Sequence, residues 1–251
     1  MVHFVGAGSG APDLITVRGA RLLSEADVII YAGSLVNPTL LDYAKEGCEI
    51  HDSAKMTLEQ VIEVMKAAEA QGKTTVRLHT GDSSIYGAVR EQFDQLIELG
   101  IEYDVCPGVS SMSGAAAALK AEYTLPEVSQ TVIVTRMEGR TPVPEKEKLR
   151  LLASHGSTMV LFLSVGLLDG VQTELMAGGY APETPAAIVY KATWPDEKIF
   201  RCRLCDLKET AKKNNVKKTA LILVGGFLGD KYERSKLYDP TFTTEFREAE
   251  K

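Results

Sequence analysis

The chain has 251 residues, of which 45% are hydrophobic and 25% are charged. This composition is ordinary for a globular protein and excludes a disordered or fibrous one. The 28 basic and 34 acidic residues leave a formal net charge of −6, which argues against a broad nucleic-acid surface. At roughly 150 residues per domain, the length suits one domain or two.

Hydrophobic runs in the sequence are short. The longest cover residues 28–32, 159–163 and 220–224, whereas a membrane helix needs about 20 apolar residues. The apolar run at the start ends at Gly6, unlike that of a secretion signal. Four cysteines do not indicate a secreted disulfide scaffold. We therefore expect a soluble, cytoplasmic protein.

Strand and helix patterns alternate through the first 110 residues. The clearest helix covers residues 57–71, where Thr57 and Gln60 form a capping box before a regular apolar stripe. Short continuous apolar runs, typical of strands covered on both faces, lie between the helices. The predicted order is strand 2–5, helix 16–25, strand 28–31, helix 38–45, helix 57–71, strand 74–79, helix 89–97 and strand 101–105. These repeats predict a mostly parallel sheet with helices on both faces.

The pattern changes after residue 112. Residues 113–121 form a helix of small side chains, and five more strands are predicted at 131–135, 158–164, 186–191, 198–203 and 219–224. A turn-rich stretch alone separates the third of these strands from the fourth, which predicts an antiparallel hairpin. We therefore predict two α/β domains. Residues 1–112 carry the mostly parallel sheet, and residues 113–251 carry a mixed sheet.

A glycine loop follows the first strand. Gly6, Gly8 and Ala11 match the spacing of a dinucleotide-binding motif. Pro12 and Asp13, however, insert a turn where the helix of such a motif begins. The strand at 28–31 also lacks the acidic residue at its end that would hold a ribose. A NAD-dependent oxidoreductase is therefore a weak alternative.

Two further loops contain glycine and follow predicted parallel strands. One covers residues 81–87 and includes Asp82, and the other covers 106–111 and includes Ser110 and Ser111. Because open α/β sheets bind ligands at the carboxyl ends of their strands, we expect all three loops to rim one crevice. Asp82 could accept a hydrogen bond from an amine or hydroxyl, and the serines could donate from a helix start.

These loops carry a family resemblance. Residues 5–16 followed by 26–31, then 81–87 and 107–111, resemble in order the motifs of the tetrapyrrole methylases. Residues 135–144 and 189–198 are similar to the branch that methylates carbon 11 of precorrin-4 or cobalt-precorrin-4 in corrin synthesis. The resemblance runs from residue 2 to about 246.

The resemblance implies a homodimer of two-domain chains that bind S-adenosylmethionine in a cleft between the domains. The first glycine loop would face the tetrapyrrole rather than this cofactor. The implied cofactor contacts are Gly81, Asp82, Ile85, Ser110, Ser111, Met137, Leu163, Ala187, Thr219 and Ala220. Our candidates for substrate binding are Gly8, Gly10, Arg18, Arg136, Arg140 and Lys191.

The expected chemistry needs few special residues. A methyl group on a sulfonium is already activated, so the enzyme mainly positions an electron-rich ring carbon in line with the methyl–sulfur bond. A base would remove or shuttle a proton, and the sequence does not identify it. Arginine and lysine would bind the acetate and propionate groups of the substrate. The alternative is that these four cations are ordinary surface charges.

Cysteine, histidine and tryptophan give no stronger site. Cys202 and Cys205 spell C-x-x-C, but on a predicted strand they would face opposite sides, so we expect packing cysteines and no protein-bound metal. The histidines lack ligand spacing, and only His79, just before the second loop, deserves a test. We expect Trp194 to anchor a turn rather than form a substrate platform.

Several functions are compatible with these residues. The leading hypothesis is methylation of cobalt-precorrin-4, with cobalt carried by the substrate. The nearest alternative is methylation of metal-free precorrin-4. A family member with a macromolecular substrate, a NAD-dependent oxidoreductase and a non-catalytic tetrapyrrole-binding protein are weaker alternatives. We expect neither a nucleic acid nor a membrane as a partner.

Overall fold

The chain folds into two α/β units, each with its own five-stranded sheet. The structure, a computed structural model, describes residues 1–33 and 35–249, so the last two residues of the predicted second domain lie outside it. The first unit comprises Met1–Gly114 and Lys191–Asp196, and the second comprises Ala115–Tyr190 and the chain from Glu197 onward. Among the described residues, no helix has the length and apolar character needed to span a bilayer.

The sheet of the first unit is parallel throughout. Its spatial order is β3-β2-β4-β1-β5, and each neighbouring pair is parallel. All five strands therefore end at the same edge, as the repeated strand–helix pattern predicts. The strands are β1 (Val2–Gly6), β2 (Val28–Tyr31), β3 (Glu49–Asp52), β4 (Thr75–His79) and β5 (Tyr103–Cys106).

Helices cover both faces of this sheet. The first three are α1 (Val17–Glu25), α2 (Leu58–Glu69) and α3 (Arg90–Glu98), and α4 (Ser111–Leu119) begins in this unit. The predicted capping box is present at α2: Gln60 N donates to Thr57 Oγ1 at 3.4 Å, and Thr57 N donates to Gln60 Oε1 at 2.9 Å. Separate apolar clusters fill the two faces, around Leu78 on one and Phe4 on the other. Burying each such side chain contributes about 1.5–3 kcal/mol.

The sheet of the second unit is mixed. Its order is β6-β7-β10-β8-β9, with β6 and β7 parallel and the other pairs antiparallel. The strands are β6 (Val132–Arg136), β7 (Thr158–Phe162), β8 (Pro185–Tyr190), β9 (Lys198–Arg203) and β10 (Ala220–Val224). The helices α5 (Leu149–Ala153), α6 (Leu168–Ala177) and α7 (Leu207–Lys213) supply side chains to one apolar cluster with the sheet.

The predicted fold class is confirmed: two α/β units, one with a parallel sheet and one with a mixed sheet. The predicted hairpin is also present, with Tyr190 paired to Lys198. The helix predicted at 38–45 is wrong in type, because Pro38–Tyr43 forms a 3-10 helix. The edge strand β3 was not predicted because its half-exposed residues do not form an apolar run. Helices α5, α6 and α7 were not predicted either.

The boundary predicted after residue 112 does not account for Lys191–Asp196. This segment is the turn between β8 and β9, yet it packs within the first unit. Its side-chain hydrogen bonds in that unit are to residues about 180 positions earlier in the chain. Local sequence patterns carry no information about such distant contacts.

A polar row lies on one face of the central strand β4. Thr75, Arg77 and His79 alternate along the strand and are all buried. The Arg77 side chain donates from Nε to Gln92 Oε1 and from Nη1 to Ile30 O, both at 3.1 Å, and burial lowers its pKa to about 10. Burial, with a contribution from the nearby Arg77 charge, lowers the pKa of His79 to about 3. His79 is therefore neutral at physiological pH.

We predict that His79 makes the protein sensitive to mild acid. The unfolded chain binds a proton at this residue below about pH 6.5, whereas the folded chain does not until about pH 3. The free energy of unfolding therefore falls as the pH drops between these values, by up to about 1.4 kcal/mol per pH unit. Urea titrations at several pH values should show a flatter profile for His79→Leu. The exposed His155 provides the control, and a His79→Leu profile as steep as that of His155→Leu would contradict the prediction.

Candidate functional site

The three glycine loops meet at the carboxyl edge of the parallel sheet. Gly81 N donates to Gly8 O at 2.9 Å, and Gly8 N donates to Gly81 O at 3.2 Å. A Cβ atom placed on Gly6 would lie 2.6 Å from the Gly108 backbone and 2.7 Å from Gly81 O. Because backbone occupies that space, a side chain at Gly6 would force the loops apart. The structure thus brings together the three loops that the sequence predicts at one crevice.

Asp82 holds the second loop to the third. Its Oδ2 accepts from Gly108 N at 2.8 Å, and its Oδ1 accepts from Ser84 N at 2.9 Å and from the Ser84 hydroxyl. Burial raises the pKa of this carboxyl. The hydrogen bonds from Ser84 and Gly108 lower it by a larger amount in total, so the pKa lies below its usual value. The carboxylate is bound to donors of the loops themselves, and its contact with a cofactor stays a prediction.

We predict that Asp82→Ala lowers the free energy of unfolding by about 1.5–3 kcal/mol, the usual contribution of hydrogen bonds to a charged group. The loss should shrink in strong acid. A lowered folded pKa means that the stabilisation is present above the usual Asp pKa and disappears as the pH falls through the folded one. Urea denaturation at neutral pH and near pH 3 would measure both effects.

Asp94→Ala is the control for this experiment, because Asp94 forms an exposed ion pair with Arg90 at 2.7 Å. Such exposed pairs contribute less than about 1 kcal/mol. Equal losses for the two variants would mean that Asp82 does not join the loops.

The other predicted contacts of the first unit surround this junction. Gly81 has a φ of +62°, and its open side faces Ser110 and Ser111, with Ser111 N 3.5 Å from a Cβ placed there. Ser110 also accepts from Met112 N at 3.4 Å at the start of α4. Ile85 is half-buried in the second loop. A surface of glycine backbone, hydroxyl groups and one aliphatic side chain fits a nucleoside with polar ends.

In the second unit, predicted cofactor residues lie at one edge of the mixed sheet. Met137 and Leu163 directly follow the parallel strands β6 and β7, in which Arg136 pairs with Phe162. Thr219 precedes β10 at the same edge, because β10 runs antiparallel to β7. Ala220 is the first residue of β10. Four of the five predicted residues of this unit are therefore neighbours on adjacent strands.

Ala187 does not share that edge. It lies within β8 and pairs with Leu223, whereas Ala220 at the edge pairs with Tyr190. Its side chain is fully buried.

Two of these edge residues have strained backbones. Leu163 has a φ of +53° and Thr219 a φ of +55°, in the left-handed region that non-glycine residues seldom adopt. Each costs of the order of 1–3 kcal/mol, and strain of this kind concentrates at functional sites. Leu163 is also 67% exposed, so a large apolar side chain is presented to solvent at this edge.

Ser164 was not identified from the sequence. Its hydroxyl accepts from Met137 N at 2.7 Å and donates to Phe162 O at 2.6 Å, and the residue is fully buried. These bonds tie the end of β6 to the end of β7 beside Met137 and Leu163. The only sequence signal is a serine at the end of the predicted strand 158–164.

We predict that Ser164→Ala lowers the free energy of unfolding by about 1–3 kcal/mol, because the partly buried Met137 N–H loses its acceptor. Ser154 is the matched control, since its hydroxyl also donates to a backbone oxygen, Leu151 O at 2.6 Å, but at an exposed site. Thermal and urea unfolding of the two alanine variants would test this. A smaller loss for Ser164→Ala than for Ser154→Ala would refute it.

The six substrate candidates differ in their surroundings. Gly8 and Gly10 lie in the first loop, and Arg18 and Arg140 are exposed. Arg136 donates to backbone oxygens of Thr141 at 3.1 Å and Pro142 at 2.7 Å, so it organises the loop after β6. Lys191 Nζ lies 2.7 Å from Asp196 Oδ2.

Asn37, a second residue that was not identified from the sequence, holds Gly10 in place. Asn37 is buried, and its Nδ2 donates to Gly10 O at 2.9 Å, while its Oδ1 accepts from Thr39 N at 3.1 Å. In the sequence, Asn37 is only the residue before the predicted helix 38–45. The first glycine loop is thus held by Asn37 as well as by Gly81.

The positions of Cys202 and Cys205 differ from the prediction. Cys202 lies in β9, but Cys205 lies in a 3-10 turn at Leu204–Asp206 after the strand ends. The expectation that the two face opposite sides of one strand is therefore wrong. Burial raises the pKa of the Cys202 thiol, which disfavours the thiolate that metals bind. Across residues 1–33 and 35–249, no three His, Cys, Asp or Glu side chains converge as a metal site.

The glycine motif does not lead into a dinucleotide-binding helix. Pro12–Leu14 forms a 3-10 turn after the loop, and α1 begins only at Val17. The three joined glycine loops lie instead at the carboxyl edge of a parallel sheet, where open α/β sheets bind small ligands. The model of the tetrapyrrole (corrin/porphyrin) methylases matches residues 1–208. The chain belongs to this family.

Its relatives include enzymes of corrin synthesis. A cobalt-precorrin-4 C(11)-methyltransferase from Methanocaldococcus jannaschii is 59% identical, covering 100% of this chain and 97% of the relative. One from Priestia megaterium is 48% identical, covering 100% and 98%. A precorrin-4 C(11)-methyltransferase from a Sinorhizobium species is 43% identical, covering 98% of each chain.

Solved structures are also similar. An X-ray structure of a cobalt precorrin-4 methyltransferase, a cobalamin biosynthetic enzyme, matches with a TM-score of 0.90 and 48% identity, covering 91% of this chain and 96% of that one. A uroporphyrin-III C-methyltransferase from Thermus thermophilus in complex with S-adenosylhomocysteine matches with a TM-score of 0.75 and 27% identity, covering 90% and 92%.

Proposed function

We propose that this protein transfers a methyl group from S-adenosylmethionine to carbon 11 of cobalt-precorrin-4 and forms cobalt-precorrin-5A in cobalamin biosynthesis. The observation that carries the proposal is the junction of the three glycine loops within a chain that matches the cobalt-precorrin-4 relative over its whole length. Methylation of metal-free precorrin-4 is the second candidate, favoured by the relative of that name. The higher identity to the two cobalt enzymes supports the first.

We propose that Gly81, Asp82, Ile85 and the serines at 110 and 111 contact S-adenosylmethionine, with the carboxylate of Asp82 also fixing the shape of its loop. When bound, the cofactor supplies a methyl group on a positively charged sulfur. In the second unit we propose cofactor contacts at Met137, Leu163, Thr219 and Ala220, which share one edge; Ala187, buried within β8, is the fifth contact that the resemblance implies. Ser164 would keep the first two of these in register through its bonds to β6 and β7.

The residues of this chain would act mainly by orientation. Holding the ring carbon in line with the methyl group replaces a chance encounter by a fixed geometry, which is a large part of catalysis in such transfers. The joined loops are suited to this because their backbones support one another directly. Gly8 and Gly10 would face the macrocycle. Arg18, Arg140 and Lys191 would bind its carboxylates, and Arg136 would shape the loop from Met137 to Pro142.

Cobalt would be carried by the substrate and not by the protein. The enzyme would be cytoplasmic and would form a homodimer. Light scattering coupled to gel filtration would test the oligomeric state.

We predict that the purified protein binds S-adenosylhomocysteine in calorimetry, does not bind NADH, and transfers labelled methyl to cobalt-precorrin-4 faster than to precorrin-4. Ile85→Ala should weaken binding of S-adenosylhomocysteine by roughly tenfold, because an aliphatic contact is lost. Ile97→Ala is the control, since Ile97 is 63% exposed on α3 and should bind like the original protein.

Each result bears on one part of the proposal. Binding of NADH without S-adenosylhomocysteine would refute a methyltransferase. Faster transfer to precorrin-4 would favour the metal-free route. Equal affinities of the Ile85 and Ile97 variants would remove the second loop from the cofactor site.

A further inference from the structure

The turn between β8 and β9, residues Lys191–Asp196, packs on the first glycine loop. We refer to it as the 191–196 turn. Both belong to the first unit. Lys191 has a φ of +47° and Thr193 a φ of +67°, and a β-branched residue such as threonine is a marked outlier there. A turn that holds two non-glycine residues in this conformation must be fixed by its contacts.

The hydroxyl of Thr193 provides the first of these contacts. Ala11 N donates to Thr193 Oγ1 at 3.0 Å, and the hydroxyl is also hydrogen-bonded to Ser9 Oγ at 3.0 Å. Ser9 is buried, at 6% exposure. One side-chain oxygen therefore links the turn to two positions on the first glycine loop, on either side of Gly10.

The indole ring of Trp194 provides the second contact. A Cβ atom on Gly10 would overlap the ring, with Trp194 Cγ at 2.9 Å. Gly10 has a φ of +153°, so it needs glycine for its conformation as well as for its space. The indole lies directly against the loop backbone and remains partly exposed. Trp194 thus does more than anchor its own turn.

The ammonium of Lys191 lies over this ring. Its Nζ is 5.3 Å from the centre of the Trp194 ring and 2.7 Å from Asp196 Oδ2. An aromatic face attracts a cation within about 6 Å, and the carboxylate fixes the ammonium from a second side. The Lys191 side chain is 28% exposed. The ammonium of Lys191 is therefore held over the Trp194 ring, beside the first glycine loop.

We propose that the 191–196 turn determines specificity for the tetrapyrrole, with Lys191 binding a substrate carboxylate and with Thr193 and Trp194 as positioning residues for that ammonium and for the first glycine loop. This inference rests on the proposed function. A flat macrocycle with carboxylates at its rim needs an apolar surface and a cation at fixed separation, and this turn supplies both from adjacent side chains.

The test compares Lys191→Gln, Thr193→Val, Thr193→Ser and Trp194→Phe in the full-length protein. Each variant is assayed for methyl transfer to cobalt-precorrin-4, for calorimetric binding of S-adenosylhomocysteine and for melting temperature. Lys191→Gln should raise KM for the tetrapyrrole about tenfold, the effect of losing one charge-assisted contact. Thr193→Val should raise KM in the same direction, because the turn that positions the ammonium loses its hydrogen bonds to Ser9 and Ala11. Their kcat and their affinity for S-adenosylhomocysteine should remain within about twofold of the original values.

The conservative variants separate positioning from packing. Thr193→Ser keeps the hydroxyl and should retain the original KM, although it removes a methyl group from the turn. Trp194→Phe keeps an aromatic face, and its KM should lie between that of the original protein and that of Thr193→Val. The controls are Lys66→Gln, from an exposed ion pair with Glu63 at 3.6 Å, and Thr173→Val, at an exposed position of α6.

The outcomes are distinct. An unchanged KM in Lys191→Gln would overturn the inference, as would a Thr193→Ser variant as impaired as Thr193→Val. If Thr193→Val does not fold, Lys191→Gln and Trp194→Phe decide by the same KM criterion. Failure of the unmodified protein to bind S-adenosylhomocysteine would instead refute the proposed function. Normal binding and transfer with no effect of these variants on KM would refute only the role of the turn.

Discussion

Backbone contact at Gly6, Gly81 and Gly108 is the constraint on which the candidate site depends. The three residues lie at the ends of neighbouring strands, and a side chain at Gly6 or Gly108 would collide with backbone rather than with a movable group. Hydrogen bonds between Gly8 and Gly81 and from Gly108 to Asp82 then fix the loops relative to one another. Three weak loop signals in the sequence become one rigid surface because parallel strands bring their ends to the same edge.

The second unit builds its edge by different means. Its sheet is mixed, so the ends of β6 and β7 meet the start of β10. Ser164 replaces glycine packing as the connection, with a single hydroxyl between Met137 and Phe162. The left-handed conformations of Leu163 and Thr219 occur at this same edge. Rigid scaffolds with local strain are typical of sites that hold a ligand in one orientation.

The sequence was sufficient for those features that depend on local patterns. Alternation and periodicity predicted both sheets apart from the edge strand β3, and the capping box at Thr57 lies where expected. The sequence also predicted that the three loops lie at one edge, because this prediction requires only that the strands are parallel. The role of Asp82 did not follow. A carboxylate in a glycine loop suggests a ligand contact, but its hydrogen bond to Gly108, a residue 26 positions away, cannot be seen in the local sequence.

Ser164 and Asn37 were missed for the same physical reason. Each makes its decisive bond to a residue 27 positions away, and neither differs locally from an ordinary turn residue. The docking of the 191–196 turn is a more extreme case, because its partners lie more than 180 positions earlier. Such contacts depend on the assembled topology, which local propensity does not contain.

The discontinuity of the first unit has a consequence for synthesis on the ribosome. Residue 114 leaves the ribosome about 80 residues before residue 196, which at common elongation rates corresponds to roughly 4 to 16 s. During that interval the parallel sheet can form, while Ser9, Ala11 and the Gly10 backbone lack the turn that packs on them. The first glycine loop therefore acquires its final set of contacts only when most of the chain exists. A fragment ending at residue 114 would contain all five strands of its sheet and still not reproduce that loop.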